Sequence, residues 1–348
     1  MMKKISKILR RTTIKQPKTL ASSNDAVKPW LELLMDQPEI AKDAEHRIAM
    51  TTGCRDCDYI PKVKDAGKIK KVGKKEYQVM HNGLLVEAGG YFGDWMVETI
   101  KSLKGHHEPQ EEKAFYEILK HIPNNSVMIE LGSYWSYYSM WFNKATKGAV
   151  NYCCEPDPVN LKLGMRNSDA NKLDRINFIS AAAGSDDGKE ISFKPQEGDR
   201  DPVTVKVKSI DGLVSDEGIE RLELVHMDVQ GAELEALKGA EQSIKKGVVR
   251  FVFVSTHHYL ISEDTRLHEK CIEYIEELGG HIIVEHAIHE SFSGDGLIVA
   301  SFFDEDVDIK IEISDNRMDN GLFRSYTKDM DILIDAYESL RKQYEGYK

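Results

Sequence analysis

From Glu108 onward, apolar positions follow two alternating rhythms. Short apolar runs, VMIEL, AVNYCC, RINFIS, LELVHMD, VVRFVFVS, HIIVEHA and DGLIVASF, read as buried strands. Between them, apolar residues recur at helical spacing. Phe115, Ile118, Leu119 and Ile122 share one face of a segment that opens with Pro109 and acids. Tyr138, Trp141, Phe142 and Ala145 share another, and a further helix starts after Pro158. AELEALKGAEQSIKK reads as one helix, and Leu267, Cys271, Tyr274 and Leu278 line the next. EISFKP and PVTVKV read as an inserted hairpin. Strand–helix alternation of this length predicts an α/β fold built on a doubly wound, mostly parallel sheet.

The pattern differs on either side of this block. Residues 1 to about 50 read as a leader with one or two helical pieces. The Lys-rich stretch PKVKDAGKIKKVGKKE reads as a solvated loop, although its charge could meet an acidic substrate. YQVMHNGLLVEAGG carries Asn82-Gly83 between two β-like runs, a hairpin signal. GDWMVETIKSLKG looks helical. After residue 305 the chain turns acidic and then helical, a tail that could cap the domain or form a homodimer contact. The expected division is an N-terminal α+β extension over 1–104, a sheet domain over 105–305 and a helical C-terminal tail over 306–348.

Composition narrows the function. The chain has 348 residues, 41% hydrophobic and 30% charged, with a net charge of −11. That acidity argues against nucleic acid as a partner. No apolar run approaches the ~18 residues of a transmembrane segment. The first twenty residues hold seven Lys or Arg and no acid. They read as a disordered basic arm; the other reading is a weak amphipathic helix on Ile5, Ile8 and Leu9 in peripheral contact with an anionic membrane. No apolar stretch of a secretory signal follows the charges. Five cysteines, an odd number, point to a reducing compartment, so a cytoplasmic location is expected. Cys54 and Cys57 form a C-x-x-C. A zinc site needs a second ligand pair, and the nearest later histidine is His81, so the motif is read as a turn and no metal is assigned.

Ligands in open α/β sheets bind beyond the carboxyl ends of strands, where the strand order reverses. After the first strand come Glu130, Gly132 and Ser133. Gly132 permits a tight turn and close approach, and the following helix offers N–H groups to an anion. After the second strand comes EPDP, where Glu155, followed by Pro156 and Asp157, is spaced to accept two ribose hydroxyls. The pair points to an adenosine ligand. The loop Gly132, Ser133, Tyr134, Trp135, Ser136 lacks the further glycines that a pyrophosphate needs, and Glu130 would repel one. A methionine carboxylate needs only a helix end and a hydroxyl or two, with Glu130 free to take the ammonium group. The expected cofactor is therefore S-adenosyl-L-methionine. Ala182 and Ala183, after the third strand, could admit an adenine face or simply pack tightly. Trp135, Tyr137 and Tyr138 could wall the cofactor, whereas Trp141 and Phe142 read as helix core.

IELGSYWSYYS, CEPDPVN, ISAAAGSDDG, VKSIDGLV, LVHMDVQGAELEALKGA and SGDGLIVAS occur in that order over roughly residues 105–302. Together they resemble the FkbM-type methyltransferases, a branch of the class I S-adenosylmethionine-dependent (Rossmann-like) fold. DVQGAELEALKGA is the most specific piece, and HHEPQEE is similar to the segment before the first motif. The chain departs from the pattern at Ser136, where the family usually has glycine, and at Gln230, where it usually has glutamate. The resemblance implies O-methyl transfer to a hydroxyl, often on a sugar, glycan or small metabolite.

An alcohol nucleophile needs a proton acceptor. VSTHHYL puts His257 and His258 after the fifth strand, and Asp228 ends the fourth. His257 is expected to be the base, with Asp228 orienting it or the substrate; otherwise one histidine packs the sheet end and the other faces solvent. His257, His258 and Asp228 could also hold a divalent ion, but no further acid is clearly placed there. His226, on the strand itself, is expected to be a satisfied core histidine. Trp95, His107, Glu108 and Gln230 are expected on the acceptor side, although His107 and Glu108 could merely cap the helix at Pro109. Two other functions compete. An NAD(P)-dependent oxidoreductase is opposed by the glycine-poor loop and by Tyr-x-x-x-Lys occurring only at Tyr116/Lys120 and Tyr344/Lys348. The other is a catalytically silent binding subunit.

Overall fold

The computed structural model describes residues 44–195 and 200–316, together with Ile334 and Tyr337. The chain divides into two units, Met1–Ile40 and Ala41–Lys348, and the described residues all belong to the second. The basic arm and its membrane contact lie outside them. So does most of the C-terminal tail, of which Ile334 and Tyr337 are helical.

The described residues open with α1 (Ala44–Gly53), then β1 (Ile69–Val72), β2 (Lys75–Val79) and β3 (Leu85–Glu87). These three strands form a small antiparallel sheet of their own. The Lys-rich stretch is thus not all loop: β1 pairs along its length with β2 while all four of its side chains stay exposed. A strand with no buried face has no alternating pattern to announce it. Then come α2 (Gly93–Ser102) and α3 (Pro109–Leu119).

The main sheet uses β4 (Val127–Leu131), β5 (Val150–Cys154) and β6 (Ile176–Ile179), with α4 (Tyr137–Ala145) and α5 (Pro158–Asn171) between them. β7 (Ala182–Ala183), β8 (Glu190–Phe193) and β9 (Val203–Lys208) make a side sheet in which β8 and β9 form the expected hairpin. After α6 (Ile210–Asp216) the chain returns through β10 (Leu222–Met227), α7 (Glu233–Lys238), α8 (Glu241–Lys245), β11 (Val249–Thr256), α9 (Tyr259–Ser262) and α10 (Leu267–Glu277) to β12 (His281–His286) and β13 (Gly296–Ser301). The helix expected between β10 and β11 is in fact two. It breaks at Gly239, where an added Cβ would lie 2.4 Å from the Gly184 carbonyl oxygen. Asp211 then caps the second piece by accepting from Gln242 N and Ser243 N.

The seven strands run in the order β12-β13-β11-β10-β4-β5-β6. Pairs from β11 across to β6 are parallel, and β13 runs against both of its neighbours. The chain builds outward from β4 to one edge, then returns beside β4 and builds to the other. This is the doubly wound sheet of the class I methyltransferase type, with its switch point between β4 and β10.

Each face of the sheet buries its own core, because successive strand residues point to opposite sides. Met128, Leu224, Phe251, Phe253 and Val299 face one way, against α3, α4 and the segment Met80–Ile100. Ile129, Leu131, Val225, Val252, Val254 and Ile298 face the other, against α6, α7, α8 and α10. Among the described residues, no helix is long and apolar enough to cross a membrane. Phe115 on α3 is fully buried, and its ring meets Tyr138, Trp141 and Phe253 at 4.9, 5.0 and 5.6 Å. Phe115→Ala is expected to cost about 3–5 kcal/mol, since the surrounding rings cannot collapse into the hole. A denaturant titration checks this; a loss below about 1 kcal/mol would mean that α3 does not share the sheet's core.

Candidate active site

The turn from β4 into α4 sits at the switch point. Gly132 and Ser133 both donate backbone N–H bonds to the Cys154 carbonyl, at 2.9 and 3.1 Å, so the turn is tied to β5. Asp228 N donates to Leu131 O at 3.0 Å, which ties it to β10. Gly132 has φ +72°, and a Cβ there would stand 1.8 Å from the Asp228 carbonyl oxygen. Tyr134 and Ser136 follow with φ of 40° and 60°. Ser136 therefore adopts the left-handed backbone that a glycine would take more easily, and α5 accommodates it with Gly164, whose Cβ would fall 2.3 Å from the Ser136 hydroxyl. The hydroxyls of Ser133 and Ser136 are buried and have no hydrogen-bond partner among the described residues.

Glu130 is placed differently from expectation. Its side chain is 3% exposed and accepts the backbone N–H of Ser139 at 3.0 Å, in the first turn of α4. It satisfies one of the helix's orphan donors from beneath and does not face outward to an ammonium group. Burial raises its pKa, opposed by His226 and by bonds to the helix N-terminus.

Glu155 accepts from Tyr134 N at 2.9 Å and from Asp157 N at 2.8 Å, bracing the loop against the end of β5. Burial pushes it up to about 7, and those two N–H donors moderate the shift. Each oxygen keeps a lone pair for a further donor. Asp157 caps α5 through Val159 N and forms a two-point pair with Arg200 at 2.7 and 2.5 Å. Pro156 lies between them. Ala182 is buried and Ala183 half-buried, and the two pair in parallel with Val207 and Lys208 of β9.

The loop aromatics turn toward the N-terminal segment. Trp135 stacks on Tyr91 with centroids 4.4 Å apart and planes 1° from parallel. Tyr134 meets Tyr91 and Phe92, and Phe92 meets Trp95. His107, 1% exposed, lies between Glu112 (Nδ1, 2.7 Å) and Glu108 (Nε2, 3.2 Å). Burial disfavours its charge, but the two carboxylates outweigh it and push the pKa to about 10. Neither His107 nor Glu108 caps α3 with its side chain; Glu112 does so, accepting from His107 N and Glu108 N. His226 is only partly satisfied. Nε2 meets Glu111 at 2.5 Å and the ring stacks on Tyr138, yet Nδ1 has no partner among the described residues.

Asp228 and His257 come together, at 3.2 Å between Oδ1 and Nε2. His257 is 1% exposed and donates from Nδ1 to Glu233 at 2.7 Å, which fixes its orientation. Asp295 stands 3.6 Å from Nε2, and the Gln230 amide nitrogen lies 2.6 Å from Nε2 and 2.9 Å from Asp228. Burial works against the charged imidazole, but Asp295, Glu233 and Asp228 prevail and hold its pKa well above the ordinary value. An imidazolium has no lone pair to accept a proton. This setting favours the charged imidazole and works against the free-base role expected of His257. Asp228 is lowered, its burial outweighed by His257 and Gln230, whereas burial pushes Asp295 up to about 7. His258 does not join the group. It caps α9 by accepting from Leu260 N, and burial drops its pKa to about 4.

Sequence reading missed Glu233 and Asp295. Both lie inside quoted motifs, DVQGAELEALKGA and SGDGLIVAS, but only the fold brings them to His257. Glu233 also accepts from Val229 N and Gly231 N, so it holds the Asp228–Gly231 turn in shape.

Comparison with known proteins bears on this site. Residues 117–282 match the model of the methyltransferase FkbM domain. The 2-O-methyltransferase NoeI of Sinorhizobium fredii is 27% identical over 129 residues, covering 29% of this chain and 51% of that protein. The chain thus spans about half the length of this curated relative. Among solved structures, precorrin-6y C5,15-methyltransferase from Geobacter metallireducens is 12% identical, covers 55% of this chain and 88% of its own, and has a TM-score of 0.33. M. capricolum TrmK in complex with S-adenosyl-homocysteine is 14% identical, with 58% and 70% covered and a TM-score of 0.35.

Gly132→Ala is expected to destabilise the protein by more than about 1 kcal/mol, because the left-handed backbone and the Asp228 carbonyl both exclude a side chain. An unfolding titration tests it, and an unchanged midpoint would show that the two strand ends do not approach as described.

Proposed function

From the match of residues 117–282 to the methyltransferase FkbM domain, we propose that this chain is an FkbM-type methyltransferase that methylates a hydroxyl group of a sugar, glycan or small metabolite, using S-adenosyl-L-methionine. The observation that carries the cofactor assignment is the β4–α4 turn. It joins a glycine in close backbone contact, two buried serine hydroxyls without partners and a strand-end carboxylate with spare acceptor capacity. That donor set fits a methionine carboxylate and a ribose diol. Ser133 and Ser136 would serve the carboxylate, Glu155 the ribose hydroxyls, and Ala182 and Ala183 the adenine side. When bound, the cofactor supplies an electrophilic methyl group on sulfur.

The chain's own task is to place the acceptor and take its proton. Of the groups around His257, Asp295 is best matched to that work, because a base poised near neutral pH combines availability with strength. His257, held by Glu233 and facing Asp228 and Asp295, keeps these acids from repelling each other. Trp95, Tyr91, His107 and Glu108 belong to the segment before residue 109, which we assign to the acceptor side. The name of the relative, a 2-O-methyltransferase, supports a hydroxyl acceptor. All five cysteines are free thiols, which fits work in a reducing compartment.

S-adenosylhomocysteine at a hundred times its dissociation constant should stabilise the protein by about 2.7 kcal/mol, and NAD should not. A thermal-shift series decides; stabilisation by NAD alone would replace this reading with an oxidoreductase, and stabilisation by neither would remove the cofactor.

Asp295→Asn should lower turnover by about two to four powers of ten with S-adenosylhomocysteine affinity nearly intact. In the parent the ionised carboxylate is the active form and its pKa is raised to about 7. The rate should therefore climb as pH rises through 7 and fall away below it. Turnover of the variant within tenfold of the parent, or a flat profile from pH 6 to 8, would take the proton-accepting role from Asp295.

A further inference from the structure

Outside the crevice, a buried cluster of metal-ligating side chains lies on the N-terminal side of the sheet domain. Cys57, from the C-x-x-C, lies beside His106 and Glu112, and one donor atom from each comes within 4.8 Å of the others. Their exposures are 4%, 0% and 0%. The Cys57 thiol donates to the Pro109 carbonyl at 3.2 Å. His106 Nδ1 meets Glu112 Oε2 at 2.5 Å, while its Nε2 is buried and bonded to nothing among the described residues. His81 closes the fourth side. Its ring stacks on His106 at 4.2 Å, and its Nδ1 is 3.8 Å from Glu112 Oε2 and 3.0 Å from the Tyr137 hydroxyl.

We propose that Cys57, His106 and Glu112, with His81 as the adjacent fourth donor, form a structural site for a divalent ion of the zinc class. One thiolate, two imidazoles and one carboxylate are the donors such an ion takes in a closed four-coordinate site. The charges support it. The thiolate and the carboxylate together neutralise a dication, and the imidazoles add none. His107 holds Glu112 Oε1 at 2.7 Å and Glu108 at 3.2 Å, which leaves Glu112 Oε2 on the side of His106. Loading releases the Cys57 thiol proton to solvent, and each imidazole binds as a neutral ring with its proton on the other nitrogen. The ligands come from the turn after α1, from the segment just before α3 and from α3 itself. The ion would therefore staple the C-x-x-C turn to the helix that carries Glu111 and Phe115 onto the sheet. Cys54 is also buried, but it does not belong to the donor group.

The test uses the full chain, purified without a histidine tag. Elemental analysis after dialysis against zinc and then against buffer should find about one zinc per chain. Cobalt substituted for zinc should show a sulfur-to-cobalt charge-transfer band in the near ultraviolet. Cys57→Ser removes a ligand itself, so it should lose that band and weaken zinc binding by more than the ~100-fold that loss of an outer-shell partner costs, whereas Cys54→Ser should keep both. Less than a tenth of an ion per chain, cobalt bound without the charge-transfer band, or Cys57→Ser retaining parental affinity would each overturn the proposal. If Cys57→Ser does not fold, the cobalt spectrum of the unaltered protein decides alone.

Discussion

The close approach of Gly132 to the carbonyl of Asp228 is the contact on which the site depends. Two parallel strands that turn in opposite directions must separate at their ends, and the crevice between them exists only if one end stays narrow. A Cβ at Gly132 would sit 1.8 Å from that carbonyl oxygen, so no other residue lets β4 and β10 finish side by side. Once they do, the backbone has few options. Gly132 and Ser133 turn onto Cys154, Tyr134 and Ser136 take left-handed conformations, and Asp228 is left at the mouth of the crevice. The cost of two non-glycine residues at positive φ, of order 1–2 kcal/mol each, is carried by the packing of α4 and α5 around the loop.

The second organising feature is electrostatic. Asp228, Glu233 and Asp295 converge on one imidazole. Three carboxylates at such distances cannot all remain ionised without a cation between them. His257 is placed to supply that charge; Asp228, 3.2 Å from it, is lowered, whereas burial raises Asp295, 3.6 Å away. Gln230 then makes sense as an amide: it donates to Asp228 at 2.9 Å, where a glutamate in the same place would add a fourth negative charge.

The succession of strands and helices and the two strand-end acids were legible in the sequence because each follows from a local pattern. Apolar runs mark strands buried on both faces, and residues after them must lie at the sheet's ends. What sequence could not carry was direction. Glu130 and Glu155 both follow the strand pattern, yet one points under α4 and the other into the loop, a difference set by which orphan N–H groups lie within reach. His257 could be read as a base because nothing local revealed Glu233 and Asp295, which reach it from other elements. Strand β1 escaped notice because all its side chains are exposed, and the break at Gly239 because its cause is a distant glycine carbonyl.

The segment from Gly105 to Glu112 shows how the two features meet. It is almost wholly buried and rich in charge, so its polar groups must satisfy one another. Glu112 takes His106, His107 and Tyr137; His107 passes to Glu108; Glu108 accepts from Tyr138; and Tyr138 stacks on His226, which pairs with Glu111. Removing one member leaves another buried and unpaired, a loss larger than the bond itself. The chain of contacts runs from the turn after α1 to the end of β10, two residues from Asp228. An alteration near Cys57 would therefore be felt first as a shift in how α3 presents Glu108 and Glu111 toward the crevice. The buried contacts of this segment and the position of Glu108 and Glu111 thus rest on the same side chains.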